Sequence, residues 1–371
     1  MVTKRGLLVE ATNLRIPGPT PLPPAVRQAM QRAMIPHRGS AFRAFFRALR
    51  EQVRRVHRTD GDVVILPGSG SAGWEAAIVN TLCPGDTVLA IVAGDFGERF
   101  ARVAERFGLR VERVAVAWGQ AATAEVVAPA LERHPDARAV LYTYNETSTG
   151  VANPLAEIGP LVRAHGALLL VDGVSAVAAL PLEMDAWGVD LILSGSQKAW
   201  MCPPGLVILA LGPRVWEAYA RASYPRFFWD LDAARRAAAE GNTPTTAPLT
   251  LLYALQAACD MLEAEGLEAV YARHRRLGAL VRRGVQELGY RLFADPAYAS
   301  DTVTAAVPPE GVAVRDVVER LRREFGIEIA AGQGPLKDAI IRVGHMGWVH
   351  EPELERTLAA LAAVTKSQRA V

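Results

Sequence analysis

No run in this 371-residue chain approaches the roughly 20 apolar residues that a membrane-spanning helix needs. The opening Met1-Val2-Thr3-Lys4-Arg5-Gly6-Leu7 lacks the apolar core of a secretory signal. Cysteine is scarce: Cys83, Cys202 and Cys259 lie far apart, without the paired spacing of a zinc site or a disulfide framework. A soluble protein in a reducing, cytoplasmic compartment is the expectation. Charge of one sign is also missing. The 41 basic and 39 acidic residues leave a net +2, so nothing global draws the chain to nucleic acid or membrane. The histidines are scattered, and His345 and His350 do not have metal-ligand spacing, so metal catalysis is not expected. What the chain does have is length and apolar content. Half of it is hydrophobic, enough to bury a core for two domains, or for one large domain with an appendage.

The segment from Leu14 to Pro24 is too proline-rich for a helix or a central strand and reads as an extended arm. An amphipathic helix from Phe42 to Arg58 follows. It sets Arg43, Arg47, Arg50 and Arg54 against an apolar side, so the arginines read as an exposed or interface face. From Val63 onward, short apolar runs (63–65, 88–92, 111–116, 139–142, 168–171, 191–193, 206–211) alternate with helical stretches (74–82, 98–107, 124–133). Such alternation predicts an α/β fold with a mainly parallel sheet. Residues 241–248 cannot be regular structure. A long helix from about Leu249 to Glu263 then leads to a unit with strands at 302–307 and 340–343. Its helices are 274–288, 314–325 and 352–365, the first again with exposed arginines. Strand and helix alternate over about a hundred residues there, which makes a small α+β unit.

Two strand ends carry the chemistry. The run Ala167-Leu168-Leu169-Leu170-Val171 ends on Asp172, and Leu191-Ile192-Leu193 leads into Ser194-Gly195-Ser196-Gln197-Lys198. In open α/β sheets, ligands bind outside the carboxyl ends of the strands. An amine and an acid placed there suit pyridoxal phosphate: Lys198 holds it as a Schiff base, and Asp172 keeps the ring nitrogen protonated. The competing reading is a surface lysine that happens to follow a strand. Gly68-Ser69-Gly70-Ser71-Ala72-Gly73 follows a strand and opens a helix, so it fits a dinucleotide fingerprint as well as a cradle for one phosphate. Against the dinucleotide stand its distance from the start of the chain, Pro67 at the entry, and the lack of an acid directly after the next strand. Tyr144-Asn145-Glu146-Thr147-Ser148-Thr149-Gly150 is a polar turn with no assignment of its own. Arg342 follows an apolar pair and can grip a carboxylate through two parallel N–H···O bonds, or else close an internal salt bridge. Cys202, between Met201 and Pro203, reads as a buried spacer rather than a nucleophile.

Together these stretches resemble the class V aminotransferases, in particular the alanine–glyoxylate and serine–glyoxylate group. The resemblance runs over nearly the whole chain. It rests on Pro17-Gly18-Pro19-Thr20, Gly68-Ser69-Gly70-Ser71, Asn145 to Gly150, Val171-Asp172-Gly173-Val174-Ser175, Ser194 to Lys198, Thr246-Ala247-Pro248 and Arg342-Val343-Gly344. It implies the pyridoxal-phosphate-dependent transferase fold. An extended arm (1–22) would precede a large cofactor-binding α/β domain (23–262) and a small C-terminal α+β domain (263–371). It also implies roles. Lys198 would carry pyridoxal 5'-phosphate and shuttle the proton, and Asp172 would pair with the ring nitrogen. Ser69, Gly70, Ser71 and Gln197 would contact the phosphate, with Thr246 reaching in from a second subunit of a homodimer. Phe96 would stack on the ring, Val174 would pack on its other face, and Thr147 would bond near the ring oxygen. Arg342, helped by the backbone at Gly18, would take the substrate carboxylate. Phe96 stands where many relatives have tryptophan, and Ser71 where some have histidine. The implied reaction is ping-pong amino transfer between alanine or serine and glyoxylate or pyruvate, since a single carboxylate-binding arginine is evident. A lyase or desulfurase of the same fold and a dinucleotide-dependent oxidoreductase are the alternatives, and the first lacks a cysteine beyond Cys259.

Overall fold

The computed structural model describes residues 13–369, so the first twelve residues of the expected arm lie outside the described residues. The chain begins with β1 (Asn13–Leu14), α1 (Pro24–Ala29) and α2 (Ser40–His57). Then come β2 (Asp62–Gly68), α3 (Gly70–Thr81), β3 (Thr87–Val92), α4 (Asp95–Arg106), β4 (Arg110–Ala115) and α5 (Ala124–Arg133). Strand β5 (Ala139–Thr143) precedes a short hairpin of β6 (Asn145–Glu146) and β7 (Val151–Ala152), then α6 (Leu155–His165), β8 (Leu168–Asp172), β9 (Leu191–Gly195) and β10 (Gly205–Leu211). Helices α7 (Pro213–Tyr219), α8 (Leu231–Ala239), α9 (Leu249–Glu265) and α10 (Leu267–Glu287) follow. The remainder is β11 (Arg291–Leu292), β12 (Val303–Val307), α11 (Val314–Phe325), β13 (Ile327–Glu328), β14 (Ala330–Ala331), β15 (Ile341–Gly344) and α12 (Glu351–Arg369).

Seven strands form the main sheet in the order β2-β10-β9-β8-β5-β3-β4. Only β10 runs against its neighbours. Every residue of β3, β5, β8 and β9 is buried, because helices cover both faces and both sides of the pleat must be apolar. Alternate residues therefore feed two cores. Leu169, Val171 and Ile192 face the layer of α2, α6 and α9, while Leu170, Leu191 and Leu193 face α3 and α4. The edge strand β4 carries exposed Arg110, Glu112 and Arg113, charges that discourage further pairing at that edge. A second sheet, β11-β12-β15-β14, is antiparallel and packs on α10, α11 and α12 around a separate core that includes Val281, Leu321 and Ile341.

The sequence expectations need three adjustments. The arm does not lie free on the surface: Asn13 and Leu14 pair in parallel with Ile327 and Glu328, and just past it Pro24 opens a short helix at a position where its missing N–H costs nothing. In α2, Arg50 is not on an exposed face. It is buried, and its guanidinium donates to the carbonyls of Val63 (3.0 Å) and Ala238 (3.1 Å), tying α2 to β2 and α8. In α10, Arg275, Arg276 and Arg283 are exposed as expected, but Arg282 donates to Ser300 O (2.6 Å) and Asp301 Oδ1 (3.0 Å).

Candidate active site

The order of the strands makes the crevice. From β3 the chain turns outward to β4, and then returns to lay β5 on the other side of β3 before moving on to β8 and β9. At such a reversal the loops at the carboxyl ends diverge and leave room for a ligand. Gly94 to Phe96, Asn145 to Thr147, Asp172 to Val174 and Ser194 to Lys198 all stand at that edge, each at or just past the end of one of these strands.

Lys198 sits in a tight turn after β9. Ser196 builds the turn, donating from Oγ to Pro203 O (2.6 Å) and accepting from Leu206 N (3.1 Å), while Cys202 N donates to Ser196 O (3.0 Å). Met201 is held at φ 56°, a left-handed conformation that a methionine rarely adopts and that the surrounding bonds enforce. The lysine Nζ donates to the carbonyl of Pro17 in the arm. Thr20 ties the arm down further, with its N–H on Gln197 O (3.0 Å) and its hydroxyl on Lys198 O (2.9 Å). Gly18 passes so close that a methyl group on it would lie 2.6 Å from Nζ of Lys198, and its φ is +104°. Burial brings the ammonium pKa down from 10.5 to about 8; Asp172 opposes that fall and Arg342 adds to it.

Asp172 ends β8 and is buried. Its Oδ1 accepts from Val174 N (2.8 Å) and its Oδ2 from the indole Nε1 of Trp74 (3.1 Å). Burial still raises the carboxyl from 3.8 to about 6, against these two donors and the Lys198 charge. An amine and an acid displaced toward each other from opposite sides both exchange protons near neutral pH.

The turn from β2 into α3 has the makings of an anion cradle. Ser69 is the residue preceding the helix, yet its side chain caps nothing, and Ser69 and Ser71 are exposed. The first N–H groups of α3 are thus not satisfied by a side-chain cap, and the helix dipole favours an anion there. Gly70 backs directly onto Val174: a methyl group on it would meet Cγ2 of Val174 at 2.6 Å. The half-buried Gln197 side chain has a buried Oε1 with no partner, and only its Nε2 can donate to a phosphate. The dinucleotide reading of Gly68 to Gly73 does not survive the topology. β2 is an edge strand beside the antiparallel β10, whereas a pyrophosphate crossing needs a central strand at the point of reversal.

Other expected residues distribute unevenly. Thr147 is buried and shares a hydrogen bond with Ser175 Oγ (2.6 Å). Phe96 and Val174 are both half-buried and pack against the core on the α3 and α4 side of the sheet. Arg342 is buried on β15; its Nε donates to Ala331 O (2.9 Å), and one terminal nitrogen to Thr147 O (3.2 Å) and Gln333 Oε1 (3.0 Å). No ion pair closes on it among the described residues, and burial lowers its pKa to about 10. Thr246 is exposed and makes no hydrogen bond to these residues. Cys202 is buried and its thiol is pushed up by desolvation, which suits a spacer.

Sequence reasoning left Glu146 in an unassigned polar turn. It is buried, and it caps α4 from a distance: Gly97 N (3.1 Å) and Ser148 N (3.1 Å) donate to it, and Ser148 Oγ accepts from Asp95 N (2.9 Å). The available signal was Gly94, a residue with no capping side chain standing just before a helix. The roles of Trp74 on Asp172 and of the Pro17 carbonyl on Lys198 had no local signal at all.

The residues present fit pyridoxal phosphate. A lysine and an aspartate stand at the ends of neighbouring strands, and an uncapped helix start backs onto the turn that carries the aspartate. Comparison with known proteins agrees. The family model described as "Aminotransferase class-V" matches residues 13–345. The L-aspartate–glyoxylate aminotransferase of Paracoccus denitrificans is 38% identical over 338 residues, 90% of this chain and 85% of that one. A Synechococcus protein named "Soluble hydrogenase, small subunit" is 40% identical over 354 residues, 95% of this chain and 92% of that one. That name stands apart from the family match and from the lysine site. The crystal structure of an alanine–glyoxylate aminotransferase from Nostoc sp. aligns with a TM-score of 0.93 at 33% identity, covering 98% of this chain and 99% of that one. With sequence, fold and crevice in accord, the chain belongs to the class V aminotransferases and is an enzyme that works with pyridoxal 5'-phosphate.

Proposed function

We propose that the enzyme moves an amino group between a small amino acid with one carboxylate, alanine or serine, and a small 2-oxo acid, glyoxylate or pyruvate, in ping-pong fashion. The observation that carries this reading is the crevice itself, which sets Asp172 and the Lys198 turn at the ends of neighbouring strands with one buried arginine, Arg342, beside them to hold a substrate. Pyridoxal phosphate supplies the electron sink that makes the substrate Cα–H acidic. The chain's residues do the rest. Lys198 would attach the cofactor and, when released, take the Cα proton at Nζ and deliver it to the cofactor's aldehyde-derived carbon rather than back to Cα. Asp172 holds the ring nitrogen's proton. Ser69, Gly70, Ser71 and Gln197 bind the phosphate, and Thr246 completes that pocket from a second copy of the chain. Phe96 and Val174 hold the ring between them, and Thr147 bonds beside its phenolic oxygen. Arg342 takes the substrate carboxylate, helped by the backbone at Gly18, and the arm keeps out water.

In this reading residues 1–22 are an arm, 23–262 the cofactor domain and 263–371 the small domain of a cytoplasmic homodimer. A desulfurase of the same fold has less support: Cys202 and Cys259 are both buried, with thiols held protonated by desolvation. The test is a panel of amino donors (alanine, serine, aspartate) against glyoxylate and pyruvate. Alanine or serine with glyoxylate is expected to give the highest kcat/KM, and a preference for aspartate would overturn the choice of substrate.

A further inference from the structure

We propose that Trp74 is a positioning residue that fixes the orientation of the Asp172 carboxylate for the cofactor's ring nitrogen. The inference rests on the role given to Asp172 above. An aspartate carboxylate turns easily about its last bond, since that torsion is broad and two-fold. Two donors pin it in this site. Val174 N–H reaches Oδ1 at 2.8 Å from within the same turn, and Trp74 Nε1–H reaches Oδ2 at 3.1 Å from a helix 98 positions away in sequence. With one donor on each oxygen, the plane of the carboxylate is set and each oxygen keeps a free lone pair.

Trp74 is well held for this task. It is buried, stacks on Phe100 with ring centroids 5.6 Å apart and planes 18° apart, and lies beneath the Arg99 guanidinium at 5.8 Å. Arg99 is also 5.5 Å from the Phe96 ring. The indole stands one turn into α3, the helix whose first turn forms the phosphate cradle. One rigid helix thus serves both ends of the cofactor: its start receives the phosphate, and its next turn orients the acid that meets the ring nitrogen. A buried carboxylate that loses one of two donors binds its proton more tightly and turns more freely, and both effects weaken its grip on a protonated ring.

The experiment compares Trp74→Phe with wild type in binding pyridoxal 5'-phosphate and its 1-deaza analogue, in which carbon replaces the ring nitrogen. Affinities are read from the absorbance of the bound ring in titrations of cofactor-free protein. Loss of the indole donor is expected to weaken pyridoxal phosphate about tenfold and to leave the analogue within about twofold. Replacing Trp74 by benzothienylalanine, which exchanges the N–H for sulfur and keeps the shape, is expected to give the same selective loss even if the phenylalanine variant folds poorly. An equal loss for both compounds would mean that Trp74 only shapes the pocket, and no loss for either would mean that the hydrogen bond does nothing; each overturns the proposal. If wild type bound neither compound, the cofactor reading itself would fall, and this inference with it.

Discussion

Replacing Asp172 by asparagine should separate what the site needs for chemistry from what the fold can tolerate. Burial raises this carboxyl from 3.8 to about 6 in the folded protein. A raised folded pKa means that the group's contribution to stability is full below the unfolded value and is lost as pH rises through the folded one. At pH 8 the ionised side chain therefore costs the cofactor-free protein about 3 kcal/mol, from roughly two pKa units at 1.36 kcal/mol each. About half of that develops between pH 5 and pH 8. Asparagine does not titrate. It offers one carbonyl oxygen to the two donors, Val174 N and Trp74 Nε1, so it carries a fixed cost of about 1–3 kcal/mol for the one left unmatched. The stability of Asp172→Asn relative to wild type should then improve by about 1.4 kcal/mol from pH 5 to pH 8, while amino transfer falls by orders of magnitude. Denaturant midpoints of cofactor-free protein at pH 5, 6.5 and 8, paired with turnover at pH 8, measure both. A stability difference that ignores pH would refute the electrostatic reasoning, and near-normal turnover would remove Asp172 from its role.

Lys198→Ala is expected to abolish turnover and the borohydride-trapped cofactor on the peptide containing residue 198, with the circular dichroism spectrum unchanged; a trapped adduct on another lysine would relocate the site. Gly18→Ala places a methyl group 2.6 Å from Lys198 Nζ at φ +104°. It should slow cofactor attachment at least about tenfold and cost about 1–2 kcal/mol of folding stability, and unchanged attachment kinetics would count against the arm as a wall of the site. Arg342→Lys keeps the charge but loses the fork, so KM for the amino acid should rise about 10- to 100-fold with a smaller change in kcat; an unaltered KM would put the substrate carboxylate elsewhere. Gly159→Ala would drive a methyl group to 1.5 Å from the Trp187 carbonyl oxygen, and a thermal melt should show a large loss of stability.

The central strands were legible because each is buried on both faces, so β5, β8 and β9 are unbroken apolar runs whose ends place Asp172 and the Lys198 turn at one edge. Helix starts were less so. Both α3 and α4 begin three or four residues earlier than their apolar periodicity indicates, at Gly70 and Asp95. Their first turns are glycine-rich, and α4 draws its cap from Glu146 and Ser148, some fifty positions on. The exposed face assigned to the α2 arginines failed at Arg50 for a similar reason: its partners are backbone carbonyls on β2 and α8, and no helical pattern reveals them. The glycine motif at 68–73 looks the same in a central strand as in an edge strand. Only the pairing of β2 with β10 tells the two apart.

The pairing of Asn13 and Leu14 with Ile327 and Glu328 also bears on the birth of the protein. The leading residues leave the ribosome first, but their partners emerge only after some three hundred more residues have been made. Until then the carbonyl that Lys198 contacts has no β-ladder to hold it in place. A half-made chain can assemble its parallel strands in sequence, because their contacts are closer along the chain, whereas closing the loop back to the beginning is a late and entropically costly event. The chamber is therefore sealed only after Ile327 and Glu328 have joined the fold, and competent capture of the cofactor should follow their synthesis.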